Sequence, residues 1–344
     1  MTKYLSMIHH DFPLRNYNTF RLDYTATTFF SFRSETEAHL ELRDDIDTRQ
    51  PQLILGSGSN ILFTDDFHGS VFHSDIQGID IEEEYPDRVI VSAGSGVEWD
   101  SLVEWTVGKG FGGLENLSLI PGSVGAAPVQ NIGAYGSEVK DSINKVRAIE
   151  VKTGMIVEFS QDKCAFGYRS SVFKGELKGA YLITRVFFSL YKRPSYNLSY
   201  GSVKEEAEKL GPVSLRTIRQ AVINIRTKKL PDPKNIGNAG SFFMNPVVSV
   251  EEAERLAGVH KNMPVYRVSR DEVKLAAGWL IERSGWKGKR IGNAGVYDKQ
   301  ALVLVNYGNA TGREIYELSE KIRKSVFDEF GITLKREVEV IGPI

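Results

Sequence analysis

The chain has almost no cysteine and no leader-like start. Cys164 is the single cysteine among 344 residues, which excludes an intrachain disulfide framework. The first residues, MTKYLSMIHHDF, carry neither the basic segment nor the apolar core of a secretory signal. We therefore expect a cytoplasmic protein.

The chain also lacks an excess of charge and a membrane-like apolar run. Its 43 Lys plus Arg residues balance 44 Asp plus Glu residues, so general binding to nucleic acid or to a membrane surface is not expected. The uncharged stretch 116–137 is long enough to span a bilayer. It contains Asn, Gln, Pro and repeated Gly, however, and we expect no transmembrane segment.

Metal-site and hydrolase patterns are missing as well. The six histidines, at positions 9, 10, 39, 68, 73 and 260, show no HxH, HxxxH or Cys-paired spacing, so we expect no catalytic metal. No GxSxG motif or Cys-His pattern favours a hydrolase.

The length predicts two or three domains, and the patterning predicts an α+β fold. Short β-rich segments precede a helix over 98–108, a hairpin turns at 152–154, and residues 181–190 form a buried strand. A loop over 191–202, rich in Tyr, Ser and Pro, has the character of a lid. A helix over 214–228 then stops before Pro231 and Pro233, which mark the best domain boundary.

The last third is predicted to be helix-rich. Capping boxes predict helix starts at Ser249, Ser269 and Thr311, each with Glu three residues later. The last of these helices should end at Gly331, and a strand over 332–341 should follow.

Two glycine-rich segments predict backbone binding of a ligand. In LGSGSN, at 55–60, small residues let successive N–H groups converge on an anion, although neither the Rossmann pattern nor a P-loop is complete. The segment SLIPGSVGAAPVQNIGAYGSEV, at 118–139, permits close approach to a large flat ligand or a tight internal crossing. Together they suggest a dinucleotide whose identity the composition leaves open.

Three further polar residues are candidates for a catalytic role, and each also has an ordinary structural interpretation. Arg169, beside Tyr168, suits a carboxylate but is more often solvated. Ser241, in GNAGSFFMNP, is either a turn hydroxyl or, in a dry pocket, a proton donor. Glu337 lies on the polar face of the terminal strand, where a solvated carboxylate is the usual outcome.

Taken in order, several motifs resemble the UDP-N-acetylenolpyruvoylglucosamine reductase family along nearly the whole chain. They are LGSGSNILF, SLIPGSVGAAPVQNIGAYGSEV, FGYRSSVFK, TKKLPDP, GNAGSFFMNP, YDKQALVLVN and LKREVEVIG. The resemblance implies an α+β FAD-binding fold of the vanillyl-alcohol-oxidase type with two subdomains, followed by a C-terminal α+β substrate-binding domain. The division would be 1–72 plus 332–344, then 73–228 with a substrate lid at 191–202, and then 229–331.

The resemblance also implies the reaction. NADPH reduces non-covalent FAD, and the flavin passes a hydride from N5 to C3 of UDP-N-acetylglucosamine enolpyruvate, giving UDP-N-acetylmuramate for peptidoglycan precursor synthesis. Ser241 is similar to the family's proton donor to C2. Arg169 and Glu337 resemble the pair that polarises the carboxylate. To assist there, Glu337 must be protonated or paired with a cation.

The resemblance also implies cofactor-binding and substrate-binding residues within the same motifs. The implied cofactor-binding residues are Gly56, Ser57, Gly58, Ser59, Asn60, Pro121, Gly122, Ser123, Gly125 and Ala126. The implied substrate-binding residues are Tyr168, Tyr200, Lys229, Asn245 and Gln300. The stretch YKRPSYNLSYGS resembles the family type whose tyrosine-bearing loop closes on substrate, with Tyr200 as the best match and Tyr196 and Tyr191 as neighbouring candidates. Met244 departs from the family's frequent Lys. A monomer is favoured, with the oligomeric state left open.

Two alternatives remain at the level of sequence. One is a flavin oxidase of the same cofactor fold acting on a sugar or lactone, although no histidine suited to a flavin tether lies in the glycine-rich segments. The other is a non-catalytic flavoprotein or nucleotide-sugar sensor, which would need a broken catalytic set, whereas Arg169, Ser241 and Glu337 are all present.

Overall fold

Short strands dominate the computed structural model, which describes residues 8–44 and 50–344. The strands are β1 (Ile8–Pro13), β2 (Thr25–Phe32), β3 (Gln52–Leu55), β4 (Ile61–Phe63), β5 (Phe67–Ser74), β6 (Ile79–Glu84), β7 (Arg88–Gly94), β8 (Gly133–Ala134), β9 (Ser137–Glu138), β10 (Ile143–Glu150), β11 (Ile156–Ser160), β12 (Tyr181–Tyr191), β13 (Gly237–Ser241), β14 (Val247–Ser249), β15 (Val265–Arg267), β16 (Glu272–Leu275), β17 (Arg290–Ile291), β18 (Ala294–Val296), β19 (Val303–Asn306) and β20 (Glu339–Ile341). The α-helices are α1 (Glu35–Asp44), α2 (Trp99–Lys109), α3 (Val203–Glu208), α4 (Leu215–Lys229), α5 (Val250–Val259), α6 (Ala277–Arg283) and α7 (Gly312–Phe330). Most of the segment MTKYLSMIHHDF, on which the absence of a leader was expected, lies outside the described residues.

The described residues divide into two units by their internal contacts. Unit one contains the residues up to Phe12, Ala26–Ser57 and His68–Lys228. Unit two contains Pro13–Thr25, Gly58–Phe67 and Lys229–Ile344. The chain therefore changes units close to the predicted proline boundary, and two early segments join the later one.

Unit one is built on two larger sheets, ordered β1-β2-β5-β3 and β11-β10-β12-β7-β6, and also contains the two-stranded sheet β8-β9. The predicted hairpin is confirmed, because β10 pairs antiparallel with β11, with Lys145 opposite Ser160. The predicted strand over 181–190 is confirmed as β12, which lies between β10 and β7 and is buried along most of its length. A strand with neighbours on both edges and cover on both faces accounts for its nearly continuous apolar run.

The two longer helices of unit one follow their apolar spacing. Helix α2 ends at Gly110, whose φ of 80° is the left-handed geometry that suits glycine after a helix. Helix α4 buries the predicted face, including Ile218 and Val222, against Val203 and Ala207 of α3. The apolar period thus gave both the extent and the inward face of α4.

Unit two has sheets ordered β13-β19-β18-β17, β14-β16-β15 and β20-β4. Its core includes Phe242, Leu280, Ile315 and Ile322, all with 0% exposure. Both N-terminal caps predicted for α5 and α7 are confirmed, since Ser249 accepts from the Glu252 N–H and Thr311 and Glu314 form a complete capping box. Gly331 ends α7 with a φ of 73°, as predicted.

Two local predictions in unit two are wrong. Ser269 does accept from the Glu272 N–H at 3.1 Å, but strand β16 follows, because Glu272–Leu275 pairs with both β14 and β15. The terminal strand is only Glu339–Ile341. Before it, the N–H groups of Glu337 and Val338 both point at the carbonyl of Phe242, at 2.9 and 3.5 Å, which interrupts a regular ladder as in a bulge.

Candidate active site

The first glycine-rich segment joins β3 to β4 and meets the second segment within unit one. A Cβ on Gly56 would lie 2.9 Å from Ser123 Oγ and 3.2 Å from Ala126 Cβ, so a larger residue would crowd this close approach of the two segments. Beside it, Ser57 Oγ is buried without a hydrogen-bond partner among the described residues. A buried hydroxyl of this kind is the observation expected where a polar ligand completes the site.

The remainder of the first segment lies in unit two. Gly58 has a φ of 64°, and a Cβ there would come within 2.0 Å of the Tyr17 carbonyl oxygen. Asn60 Nδ2 donates to the main-chain oxygen of Glu337 at 3.0 Å. The segment therefore ends in direct contact with one of the proposed catalytic positions.

The second segment is held by main-chain hydrogen bonds to the end of β7 and to α2. Val124 N donates to the Val97 carbonyl at 2.9 Å, Gly125 N to the Ser95 carbonyl at 2.9 Å, and Trp99 N to the Gly122 carbonyl at 3.0 Å. These bonds fix the segment tightly. They agree with the prediction that the segment forms a tight internal crossing, and they also make it a rigid support beside Ser57.

Arg169 lies in unit one against the second segment. Its φ of 53° is strained for a non-glycine residue, at a cost of about 1–3 kcal/mol. Nη2 donates to the Gly133 carbonyl at 2.7 Å, and the guanidinium carbon lies 5.4 Å from the centre of the Tyr168 ring. The side chain is thus held in one orientation in a strained turn, a combination typical of functional sites.

Ser241 ends β13 in unit two at an irregular point of the sheet. It pairs with Val303 after a register shift that follows Asn238, and Gly240 before it has a φ of 69°. The next residues, Phe242 and Phe243, are buried. The sequence therefore places a half-buried hydroxyl between a tight turn and a packed aromatic pair.

Glu337 comes to the same place from the end of the chain. Its N–H donates to the Phe242 carbonyl at 2.9 Å, one residue from Ser241, while its carbonyl accepts from Asn60. The structure thus brings Ser241 and Glu337 together in unit two, and places Arg169 in unit one.

The proposed substrate-binding residues are distributed over both units. Asn245 Oδ1 accepts from the Ala277 N–H at 3.0 Å, and Gln300 Oε1 from the Leu302 N–H at 3.3 Å, so both amides of unit two are oriented. Lys229 is the exposed last residue of α4. Met244 N donates to the Lys335 carbonyl at 2.9 Å, which places a lysine backbone beside the position where the family's frequent Lys is missing.

The loop between β12 and α3, residues 192–202, contains two tyrosines with different surroundings. The Tyr200 ring lies edge-on to Tyr135 of the second glycine-rich segment, with ring centres 6.3 Å apart. Tyr196 lines a separate cavity of about 610 Å³ together with Lys109 and Arg216. These surroundings distinguish Tyr200, which the motifs favoured, from its neighbour Tyr196.

A charged cluster near Tyr135 was missed by sequence reasoning. Arg219 binds Asp100 with two bonds, at 2.6 and 2.9 Å, and Arg226 Nε donates to the Leu119 carbonyl at 3.2 Å. Burial lowers the pKa of Arg226 and raises that of Tyr135. Burial pushes the pKa of Asp100 upward, but the bonds from Arg219 and Leu119 outweigh it, so the pKa lies below its ordinary value. Residues so far apart in sequence give no local signal.

Within the described residues, no group of His, Cys, Asp and Glu side chains could hold a metal ion. Burial raises the pKa of the Cys164 thiol to about 12, which makes it unreactive at neutral pH. No helix in the described part of the chain is long and apolar enough to cross a bilayer.

Comparison with known proteins gives consistent matches over nearly the whole chain. Residues 232–341 match the family model for the UDP-N-acetylenolpyruvoylglucosamine reductase C-terminal domain, and residues 30–160 match that for an FAD binding domain. The UDP-N-acetylenolpyruvoylglucosamine reductase of Flavobacterium johnsoniae is 46% identical over 97% of this chain and 99% of its own length. That of Bacteroides fragilis is 45% identical over 96% of this chain and 99% of its own length.

Solved structures show the same fold. The crystal structure of UDP-N-acetylenolpyruvylglucosamine reductase from Thermus caldophilus gives a TM-score of 0.68 at 24% identity, covering 98% of this chain and 99% of the other. That of 6-hydroxy-D-nicotine oxidase from Arthrobacter nicotinovorans gives 0.53 at 15% identity, covering 96% and 87%. At these identities the likeness extends to the fold alone.

Proposed function

Since the chain belongs to the UDP-N-acetylenolpyruvoylglucosamine reductase family, we propose that it reduces its substrate with Ser241 as proton donor and with Arg169 and Glu337 polarising the substrate carboxylate. It is an FAD-dependent oxidoreductase of peptidoglycan precursor synthesis, with the α+β FAD-binding fold of the vanillyl-alcohol-oxidase type that the motifs implied. The observation that carries the catalytic assignment is the convergence of Ser241 and Glu337, which are 96 positions apart, on the carbonyl and flanks of Phe242.

The residues of the glycine-rich segments fit FAD. The buried hydroxyl of Ser57 has no protein partner among the described residues and suits a phosphate oxygen. The neighbouring segment 121–126 is rigid and uncharged, which suits close approach of a flat ring. FAD held there would supply hydride transfer from NADPH to C3 of the enolpyruvyl group.

The protein's own residues supply the rest of the reaction. Adding hydride to C3 leaves an electron pair shared between C2 and the carboxylate, and this pair needs one proton and a compensating charge. Ser241 Oγ donates the proton to C2. Arg169 opposes the developing charge with a fixed guanidinium. A protonated Glu337 donates a hydrogen bond to the carboxylate, whereas a Glu337 paired with a cation only ceases to repel it.

Substrate contacts, domain division and cellular setting complete the proposal. Tyr168, Tyr200, Lys229, Asn245 and Gln300 would hold the UDP-sugar. We keep the division into 1–72 plus 332–344, 73–228 and 229–331. The change of unit after Lys228 and the parallel pairing of β20 with β4 support it, although 332–344 share unit two with 229–331. We also propose a cytoplasmic monomer.

The function is tested with the purified protein under steady-state conditions. The protein should be yellow, and its oxidation of NADPH should depend on UDP-N-acetylglucosamine enolpyruvate. Mass spectrometry should detect UDP-N-acetylmuramate as the product. UDP-N-acetylglucosamine, which lacks the enolpyruvyl group, is the matched control. NADPH oxidation that proceeds equally with the control, and depends only on oxygen, would instead indicate an oxidase.

A further inference from the structure

Arg336 lies beside Glu337 in the segment before β20 and carries a partly buried charge. Leu334 and Val338, two residues away on either side, are 0% and 3% exposed. Arg336 Nε is itself buried and has no hydrogen-bond partner among the described residues. Since burying a charge costs free energy unless other groups compensate it, the remaining contacts of Arg336 determine whether the segment keeps this conformation.

Helix α7 supplies those contacts. Arg336 Nη2 donates to Glu320 Oε1, and the guanidinium carbon of Arg336 lies 4.5 Å from the centre of the Tyr316 ring, one turn earlier in α7. Arg323, one turn later, donates through Nη1 to both oxygens of Glu320 at 2.8 Å and through Nε to the Leu334 carbonyl at 3.0 Å. Helix α7 thus holds the segment by a side chain at 336 and by the main chain at 334. We call Glu320, Arg323 and Arg336 the Glu320 triad.

Glu320 holds the two arginines as a negatively charged group. Burial alone would raise its pKa, but the hydrogen bonds from Arg323 and Arg336 outweigh burial, so the pKa lies below its ordinary value. Glu320 is therefore ionised at neutral pH, and one carboxylate compensates charges on α7 and on the terminal segment. Without that carboxylate, two guanidinium groups of the same sign would be left close together and would repel each other.

The other attachment of the segment is to the residues that follow Ser241. Lys335 accepts from the Met244 N–H at 2.9 Å, and Glu337 donates its N–H to the Phe242 carbonyl at 2.9 Å. The contacts with α7, at 334 and 336, alternate along the chain with these contacts at 335 and 337. Main-chain bonds on one side leave rotation of the segment open, and the contacts with α7 fix it.

We propose that Glu320 is a positioning residue for Glu337: through Arg323 and Arg336 it fixes the rotation of the terminal segment and so the placement of the Glu337 carboxyl group relative to Ser241. This inference rests on the proposed function, in which Glu337 polarises the substrate carboxylate. None of the triad is a proposed contact of flavin or substrate. The expected signature is therefore a slower second half-reaction, with flavin reduction and substrate affinity little changed.

Glu320→Gln tests the proposal, because it keeps the size of the side chain and removes its charge. Stopped-flow absorbance follows reoxidation of the NADPH-reduced flavin by the UDP-sugar, which should slow about 10-fold, as expected for a small displacement of a reacting group. The rate of flavin reduction and the dissociation constant for the UDP-sugar should stay within about twofold of the unmodified enzyme. Glu317→Gln, which removes the same charge from an exposed position of α7, is the matched control and should change none of these quantities.

A double-mutant cycle decides whether Glu320 acts through Glu337. In a chain that already carries Glu337→Gln, adding Glu320→Gln should slow reoxidation by less than about twofold further, because the group that it positions is already lost. A general loosening of unit two would slow reoxidation as strongly in this background, and that result would overturn the inference.

Arg336→Gln is a second variant that disrupts the triad from the terminal segment. It should reproduce the effect of Glu320→Gln, and the two changes together should slow reoxidation no more than either alone, since both break the same contact. If the unmodified enzyme does not oxidise its reduced flavin with this substrate, the proposed function fails. If it does, and both variants reoxidise at the unmodified rate, only the positioning role fails.

Discussion

At the scale of single residues, replacing Ser241 separates a catalytic role of the side chain from a structural one. Its neighbours fix it in a sheet irregularity beside Glu337, and the proposal limits its role to proton delivery. Ser241→Ala should leave flavin reduction by NADPH intact and slow flavin reoxidation by the UDP-sugar by about 10³-fold, within the usual range for a lost general acid. Stopped-flow absorbance measures both steps.

Ser249→Ala provides the control in the same unit, since Ser249 caps α5 and has no proposed part in the reaction. It should leave both rates unchanged while lowering the free energy of unfolding by about 1 kcal/mol. Equal slowing of both half-reactions in Ser241→Ala would mean that the serine supports the structure of the site.

Asp100 is expected to make the free energy of unfolding depend on pH. Its pKa in the folded protein lies below its ordinary value, so the unfolded chain binds the proton more readily. The resulting stability is present above the unfolded pKa of about 3.9 and is lost as the pH falls through the lower folded pKa. Asp100→Asn should therefore lower the free energy of unfolding at pH 7 by about 2 kcal/mol, because the Arg219 pair is broken.

Urea titrations at pH 7 and at successively lower pH test this expectation. The difference in stability between the two proteins should shrink toward pH 3. A difference that stays constant down to that pH would show that Asp100 contributes only by packing.

At the scale of elements, the Thr311 cap has a measurable effect on α7. Thr311→Ala removes the acceptor for the Glu314 N–H and one half of the capping box. The free energy of unfolding should fall by about 1 kcal/mol, with the urea dependence unchanged. Ser325→Ala in the same helix is the control, since Ser325 only bonds back to the Lys321 carbonyl, and it should be near neutral. Equal effects from both changes would contradict the assignment of the cap.

The same elements show what the sequence could predict. Helix α7 was predictable because its cap, its apolar spacing and its terminal glycine all agree. Ser269 and Glu272 carry the same local signature, yet pairing with β14 and β15 overrides it, and such pairing depends on residues distant in sequence. The terminal segment shows the predicted alternation of buried and exposed residues. It does not form the predicted regular ladder of hydrogen bonds, because two of its N–H groups share the Phe242 carbonyl.

At the scale of the whole molecule, the candidate site depends on long-range connections. Asn60 and Glu337 meet within unit two, as do Gly56 and Ser123 within unit one, and no local pattern indicates either contact. The ordered motifs nevertheless identified the candidate site residues. A family resemblance contains information about contacts between distant residues, which the spacing of residues along the chain does not contain. Tyr135 and Arg226 stayed unassigned, because a half-buried phenol or guanidinium cannot be told from an exposed one before its partners are known.

The chain should complete two separate half-reactions, and anaerobic flavin spectroscopy observes each of them. NADPH should bleach the flavin, and UDP-N-acetylglucosamine enolpyruvate, added after the NADPH is exhausted, should restore the oxidised spectrum in one stoichiometric step. A flavin that stays bleached with this substrate and regains its colour only when oxygen is admitted would show that the chain does not reduce UDP-N-acetylglucosamine enolpyruvate.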